Sequence, residues 1–217
     1  MLIIAIPKSA STSLMKTLSD NYNLPGNQEY FASANAPQDE FVTLRKYHSD
    51  MKEITVEHVD KWTCPNIFFK QHVLPTNNNQ DLLKNHKKVI LLRDPIDIVL
   101  SYRRTQLTGL SNERIEFRGC KTEEEWIRQA GNNGLLEDLR QFYTKWLEHV
   151  GEKLIVHYTD FINNPDKEMN RIAGYWDLPL VHKPVTVAKE RYTRVNILDK
   201  MRNRIRRIIK HYRKKFE

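Results

Sequence analysis

Four short runs in this chain are apolar without polar alternation: Leu2–Ile6, Ile67–Phe69, Val89–Leu92 and Leu154–Tyr158. A strand with one wet face alternates apolar and polar residues, so an unbroken run marks a strand covered on both faces. Patterns of helical period lie between the runs, near 12–20, 50–62, 95–107, 135–149 and 165–176. Strands that alternate with helices pair in parallel, because each crossover returns the chain to the same end of the sheet. The expected fold class is α/β, a single doubly wound parallel sheet flanked by helices. Two segments break the alternation, the Asn/Ala/Pro-rich stretch 21–40 and the polar stretch 108–134, and both read as ligand-facing loops. With 217 residues, no internal repeat and no long linker, one domain over 1–217 is expected.

The join after the first run, "PKSASTSL", places a lysine and four hydroxyl residues where a strand hands over to a helix. At the carboxyl end of a parallel strand such a loop exposes backbone N–H groups and the positive end of the helix dipole, which suits an anion. Ser9, Ser11, Thr12 and Ser13 add hydroxyl donors and Lys8 a mobile positive charge. The plainer reading is that Ser11 or Thr12 caps the helix. The nucleotide pattern G-x-x-x-x-G-K-[ST] is not met: the join has no glycine, and Lys8 precedes the hydroxyls. That argues against a kinase of the usual kind.

The stretch "VILLRDPIDIVLSYRR" repeats the plan of strand, basic residue and helix. Asp94 suits the cap, Pro95 the first helical position, and Ser101 comes two turns later on the face that Asp94 begins. Arg93 leaves the strand at its carboxyl end, where its fork can hold a phosphate together with the Ser101 hydroxyl, or pair with Asp94 or Asp97 at the surface. Between the two anion loops, "FFKQHVLP" sets His72 just past the second apolar run. That places it at the same sheet edge, with a side chain suited to proton transfer near neutral pH.

These stretches together resemble the sulfotransferases that use 3′-phosphoadenosine 5′-phosphosulfate (PAPS), whose fold is P-loop-NTPase-like. "PKSASTSL" is similar to the family's phosphosulfate loop, P-K-S-G-T-T/S, with Ala10 where the pattern has glycine. "RDPIDIVLS" is similar to the 3′-phosphate motif, "KQHVLP" to the K-T-H-L-P segment, and "VHYTDFINNPDKEMNRIAGYWDLP" to the Y-E-D…P…I…F-L-G-L-P segment. The resemblance implies sulfuryl transfer from PAPS to a hydroxyl or amine, leaving adenosine 3′,5′-bisphosphate and requiring no metal. It implies catalytic roles for His72, Lys8 and Lys70, with His72 taking the acceptor proton. Cofactor contacts are implied for Lys8, Ser9, Ala10, Ser11, Thr12, Ser13, Arg93 and Ser101, with Tyr158 bordering the adenine. No R-K-G…G-D-W segment appears near the C-terminus, and Arg191 and Arg194 are the candidates for further 3′-phosphate contacts. By analogy 21–48 and 105–134 form the acceptor pocket. Their Tyr30, Phe31, Phe41, Tyr47, Phe117 and Trp126 either belong to the core or stack on the acceptor, and the many polar groups there favour a small-molecule or carbohydrate-like acceptor.

Charge is concentrated at one end. Residues 199–217 carry 9 Lys/Arg against 2 Asp/Glu, nearly all of the chain's net +8, so the rest is almost neutral. Leu198, Met201, Ile205, Ile208, Ile209, Tyr212 and Phe216 recur at helical spacing there, which predicts a basic amphipathic helix over 195–217. Docking of its apolar face on the domain or on a second subunit, and contact of its basic face with an anionic acceptor or surface, both stay open. Cys64 and Cys120 lack metal-ligand spacing, and no run is long enough to span a bilayer, so a soluble cytoplasmic protein is expected. Two rivals remain: a small-molecule or nucleotide kinase using the same anion loops, and a binding module gripping nucleic acid or an acidic surface through the tail. No nucleic-acid partner is expected on the sulfotransferase reading.

Overall fold

The computed structural model describes residues 1–29, 39–48, 51–107, 115–181 and 184–187. In chain order the elements are β1 Leu2–Ala5, α1 Ser11–Tyr22, β2 Gly26–Asn27, α2 Val42–Tyr47, α3 Val56–Trp62, β3 Phe68–Gln71, α4 Asn77–Leu83, β4 Lys88–Leu92, α5 Pro95–Leu107, a 3-10 turn Ile115–Phe117, α6 Glu123–Asn132, α7 Leu135–Glu148, β5 Lys153–His157, α8 Tyr158–Asn163 and α9 Pro165–Tyr175. The five strands form one sheet in the order β2-β3-β1-β4-β5, and every pairing is parallel.

Both faces of the sheet are covered, which is why the strands lack polar alternation. Leu2, Ile4, Phe69 and Ile90 point into one core with Leu44, Trp62, Tyr102, Leu139 and Trp146, so α2, α3, α5 and α7 lie on that side. Ile3, Ala5, Phe68, Val89 and Leu91 point into the other with Leu14, Leu18, Phe161, Met169 and Ile172, from α1, α8 and α9. The chain leaves β1 toward β2 and leaves β4 toward β5, in opposite directions. The carboxyl ends of the central strands therefore flank a topological switch point, the usual ligand crevice of an open α/β sheet.

Four local expectations are corrected. The helical pattern at 50–62 is helical only over Val56–Trp62; Lys52 instead runs extended, its N–H bonding His72 O at 2.8 Å while Leu74 N–H bonds Lys52 O at 2.9 Å. The stretch 108–134 is not wholly loop, because α6 lies in it behind a capping box of Thr122 and Glu125. Helix α4 was not foreseen; it starts at Thr76, whose side chain accepts from Asn79 N–H. Tyr158 opens α8 and does not end a strand. The tail helix expected over 195–217, together with Tyr30, Phe31, Arg191 and Arg194, lies outside the described residues. Among the described residues no helix is long and apolar enough to cross a membrane.

Candidate active site

The loop from β1 to α1 is closed by Ser9, whose N–H and hydroxyl both donate to Ile6 O, at 3.2 and 2.7 Å. Ser9 is buried, and its hydroxyl proton braces the turn. Lys8 and Ala10 both lie in the left-handed region, at φ 71° and 69°. Ala10 occupies the N-cap of α1 and no side chain caps that end, so Ser11 and Thr12 stand inside the first turn. The simple capping role for either serine or threonine is thereby excluded, and the first N–H groups of a twelve-residue helix are left without a side-chain cap.

Next to β1, the end of β3 brings in Lys70 and His72. Lys70 is buried and its Nζ reaches Thr12 Oγ1 at 3.4 Å, joining the β3 end to the first turn of α1. His72 is also buried, with Nδ1 2.6 Å from Ala5 O. A carbonyl only accepts, so Nδ1 carries the hydrogen and Nε2 carries the lone pair. Burial chiefly, then the Lys70 charge, pushes the imidazole down to about 3 against the opposing pull of the Ala5 bond. The ring is neutral at pH 7, the form a proton acceptor needs.

On the other side of β1, Arg93 follows β4. Asp94 Oδ1 accepts from Ile96 N–H at 2.8 Å and Asp97 N–H at 3.2 Å, so Asp94 is the α5 cap that its position predicts. The Arg93 side chain is only 11% exposed, and its nearest carboxylate contact is Nε to Asp97 Oδ2 at 3.9 Å. The pairing with Asp97 is thus long and made from a covered guanidinium, so Arg93 is not held at the surface. Its NH1 donates to Lys8 O at 2.9 Å, its guanidinium lies 4.2 Å from the centre of the Tyr158 ring, and its backbone N–H donates to Tyr143 Oη at 3.1 Å. Burial pushes the Tyr143 phenol up, so it stays protonated. Arg93 Nε is buried with no hydrogen-bond partner.

The structure therefore brings these residues to the carboxyl ends of β3, β1, β4 and β5 in three contact groups: Lys8 with Arg93 and Tyr158, Thr12 with Lys70, and His72 on Ala5 O. Ser11, at 3% exposure, is nearly covered; Ser13 and Ser101 are half-buried on α1 and α5, and no contact ties the Ser101 hydroxyl to Arg93. Tyr158 stacks on Arg93, a partner that its motif does not announce. Sequence reasoning missed Tyr143, which no motif marks, and Tyr102, which follows Ser101 directly and whose hydroxyl lies 2.6 Å from His48 Nε2 and 3.4 Å from Pro7 O. It also missed Lys52, a buried lysine donating to Gln71 Oε1 at 2.9 Å and to Glu29 O. Of the aromatics assigned to the acceptor segments, Phe41, Phe117 and Trp126 are core, and Phe117 and Trp126 stack at 4.1 Å between ring centres.

A family model described as "Sulfotransferase domain" matches residues 1–215. Among solved structures, mouse sulfotransferase SULT7A1 complexed with PAP aligns over 82% of this chain and 58% of its own, with 12% identity and a TM-score of 0.52. A sulfotransferase from Alicyclobacillus acidocaldarius aligns over 92% of this chain and 88% of its own, with 11% identity and a TM-score of 0.49. No match was found among curated proteins. At 12% identity the likeness to the mouse enzyme speaks to the fold alone, while the family match runs through all three strand ends just described. The chain belongs to the sulfotransferase domain family.

Proposed function

We propose that this chain transfers a sulfuryl group from PAPS to a hydroxyl or amine of a polar, carbohydrate-like small molecule, leaving adenosine 3′,5′-bisphosphate (PAP). The observation that carries this is that the basic loops after β1 and β4 meet through the bond from Arg93 to Lys8 O, with a neutral, oriented histidine on the β3 side of the β1 loop. Arg93 Nε makes no hydrogen bond and meets only Asp97 Oδ2, at 3.9 Å, so the guanidinium, with five N–H donors, keeps donor capacity that suits a phosphate oxygen. Bound PAPS supplies the activated sulfuryl group.

The residues of the chain then have separable tasks. Arg93 and Ser101 hold the 3′-phosphate, and Tyr158 borders the adenine while it packs on Arg93. Lys8, the α1 N-terminus and the Ser11, Thr12 and Ser13 hydroxyls hold the 5′ group and stabilise charge that develops on the leaving oxygen. His72 Nε2 accepts the acceptor's proton, and Lys70, placed between Thr12 and His72 along the strand end, balances charge on the sulfuryl oxygens. Phe41, Phe117 and Trp126 belong to the core and are not free to stack on an acceptor, which supports a polar one.

Calorimetry tests the reading. PAP should bind at least tenfold tighter than ADP, about the worth of one charged hydrogen bond to the extra phosphate, with magnesium making no difference. Equal affinity, or ADP binding that needs magnesium, would favour the kinase. Transfer of labelled sulfate from PAPS to amino sugars in preference to phenols would support the acceptor class.

A further inference from the structure

The loop that would hold the 5′ group is braced from within by Ser9 and from outside by the β4–α5 unit. Two of its residues that are not glycine, Lys8 and Ala10, sit in the left-handed region, and such residues persist there only when their surroundings hold them. Two successive loop carbonyls are held by side chains of the β4–α5 unit. Arg93 NH1 donates to Lys8 O at 2.9 Å, and Tyr102 Oη lies 3.4 Å from Pro7 O. In a trans peptide the N–H points opposite to the C=O, so a carbonyl drawn toward β4–α5 turns the following N–H away from it.

We infer that Arg93 is a positioning residue for the 5′ side of the site as well as a ligand arm for the 3′ side: a strut from the end of β4 that holds Lys8 in its left-handed conformation. The inference rests on the PAPS reading and extends it. Arg93 is built for the task, with its backbone tied to Tyr143 Oη, its plane packed on Tyr158 and its side chain almost wholly covered. NH1 takes Lys8 O and Nε stands 3.9 Å from Asp97 Oδ2, which leaves the rest of the fork for a phosphate. One guanidinium thus links the two anion sites, and removing it disturbs the 5′ site although it gives the 5′ group no ligand.

Single-phosphate ligands separate the two roles. Wild type, Arg93→Ala and Arg93→Lys are titrated calorimetrically with AMP, which has only the 5′-phosphate, with adenosine 3′-phosphate, and with PAP. Arg93→Ala should weaken AMP about tenfold, although AMP offers nothing to a 3′-phosphate ligand. Arg93→Lys keeps the reach and one donor, so it should restore most of the AMP affinity but not the affinity for adenosine 3′-phosphate, which needs the fork. Should Arg93→Ala fail to fold, Arg93→Met keeps the stem against Tyr158 and carries the same comparison. Unchanged AMP affinity alongside lost adenosine 3′-phosphate affinity would overturn the strut and leave the PAPS reading standing. Wild-type protein that binds neither AMP nor PAP would overturn both.

Discussion

At Ala10 the backbone adopts φ 69° and ψ 21°, where a Cβ crowds the following carbonyl and glycine does not. Replacing Ala10 by glycine should therefore raise stability, by about 1 kcal/mol after glycine's larger unfolded-state entropy is counted. A rise in the urea midpoint at constant slope would show it, and a fall would mean that the alanine methyl makes a contact worth more than the strain. His72 is the residue whose chemistry is most exposed to test. His72→Ala should cut turnover by roughly 10²–10⁴-fold while PAP affinity holds, and near-normal turnover would assign the base elsewhere. The same ring links stability to pH. Its pKa is about 3 in the fold and 6.5 in the open chain, so between those values the unfolded state binds a proton that the folded state does not. Stability is then lost as pH falls from 6.5 toward 3. The melting temperature of His72→Gln, followed from pH 7 to 4, should decline less steeply than that of wild type.

Among the elements, those built on one dominant signal were legible from the sequence. Helix α5 has Asp94 as its cap and Pro95 at its first position, and its start and end coincide with the expected range 95–107. Strands β1 and β4 announced themselves because burial along their whole length leaves no room for polar alternation, whereas β3 ends in the buried Lys70 and Gln71 and β5, half-buried at the sheet edge, shows only the apolar run Leu154–Val156. Helix α4 opens with three asparagines, poor helix formers, and forms because Thr76 caps it and buried Asn79 bonds Ile54 N–H, Lys52 O and Leu74 O. Ile54 and Lys52 are distant in sequence, so no local pattern reveals those bonds. Helix α6 did carry a readable signal, the spacing of Thr122 and Glu125, which the density of acidic residues around it obscured. The candidate site divides the same way. Lys8, Lys70, His72 and Arg93 are visible because each ends a strand, whereas Tyr143, which holds the Arg93 backbone from α7, has no cue in its own helix beyond being one apolar-face residue among several. That Tyr158 packs on Arg93 depends on the register of β4 against β5, a tertiary fact.

Over the whole molecule the charge is lopsided, with most of the net +8 in residues 199–217, whose arrangement lies outside the described residues. We expect truncation after Asn196 to lower the melting temperature or change the oligomeric state at every ionic strength, as docking of an apolar helix face requires. An intact fold whose acceptor KM rises at low salt and converges with full length as salt increases would instead assign the tail to electrostatic steering. The order of the strands has a consequence for how the molecule comes to exist. β1 lies at the centre of the sheet, and its first residue, Leu2, pairs with Phe69 on one side and Lys88 on the other. During synthesis this wholly apolar strand leaves the ribosome long before either neighbour is made, and β2 cannot pair until β3 appears. No strand pairing can therefore form until β3 has emerged, and the central strand is not sealed on its second edge until β4 follows. Closing contacts of such sequence separation is slow. A nascent chain that has emerged only as far as α4 would carry β1 with one edge bare, so ribosome-bound fragments exposed to that point should be captured by holdase chaperones far more readily than fragments exposed through α5.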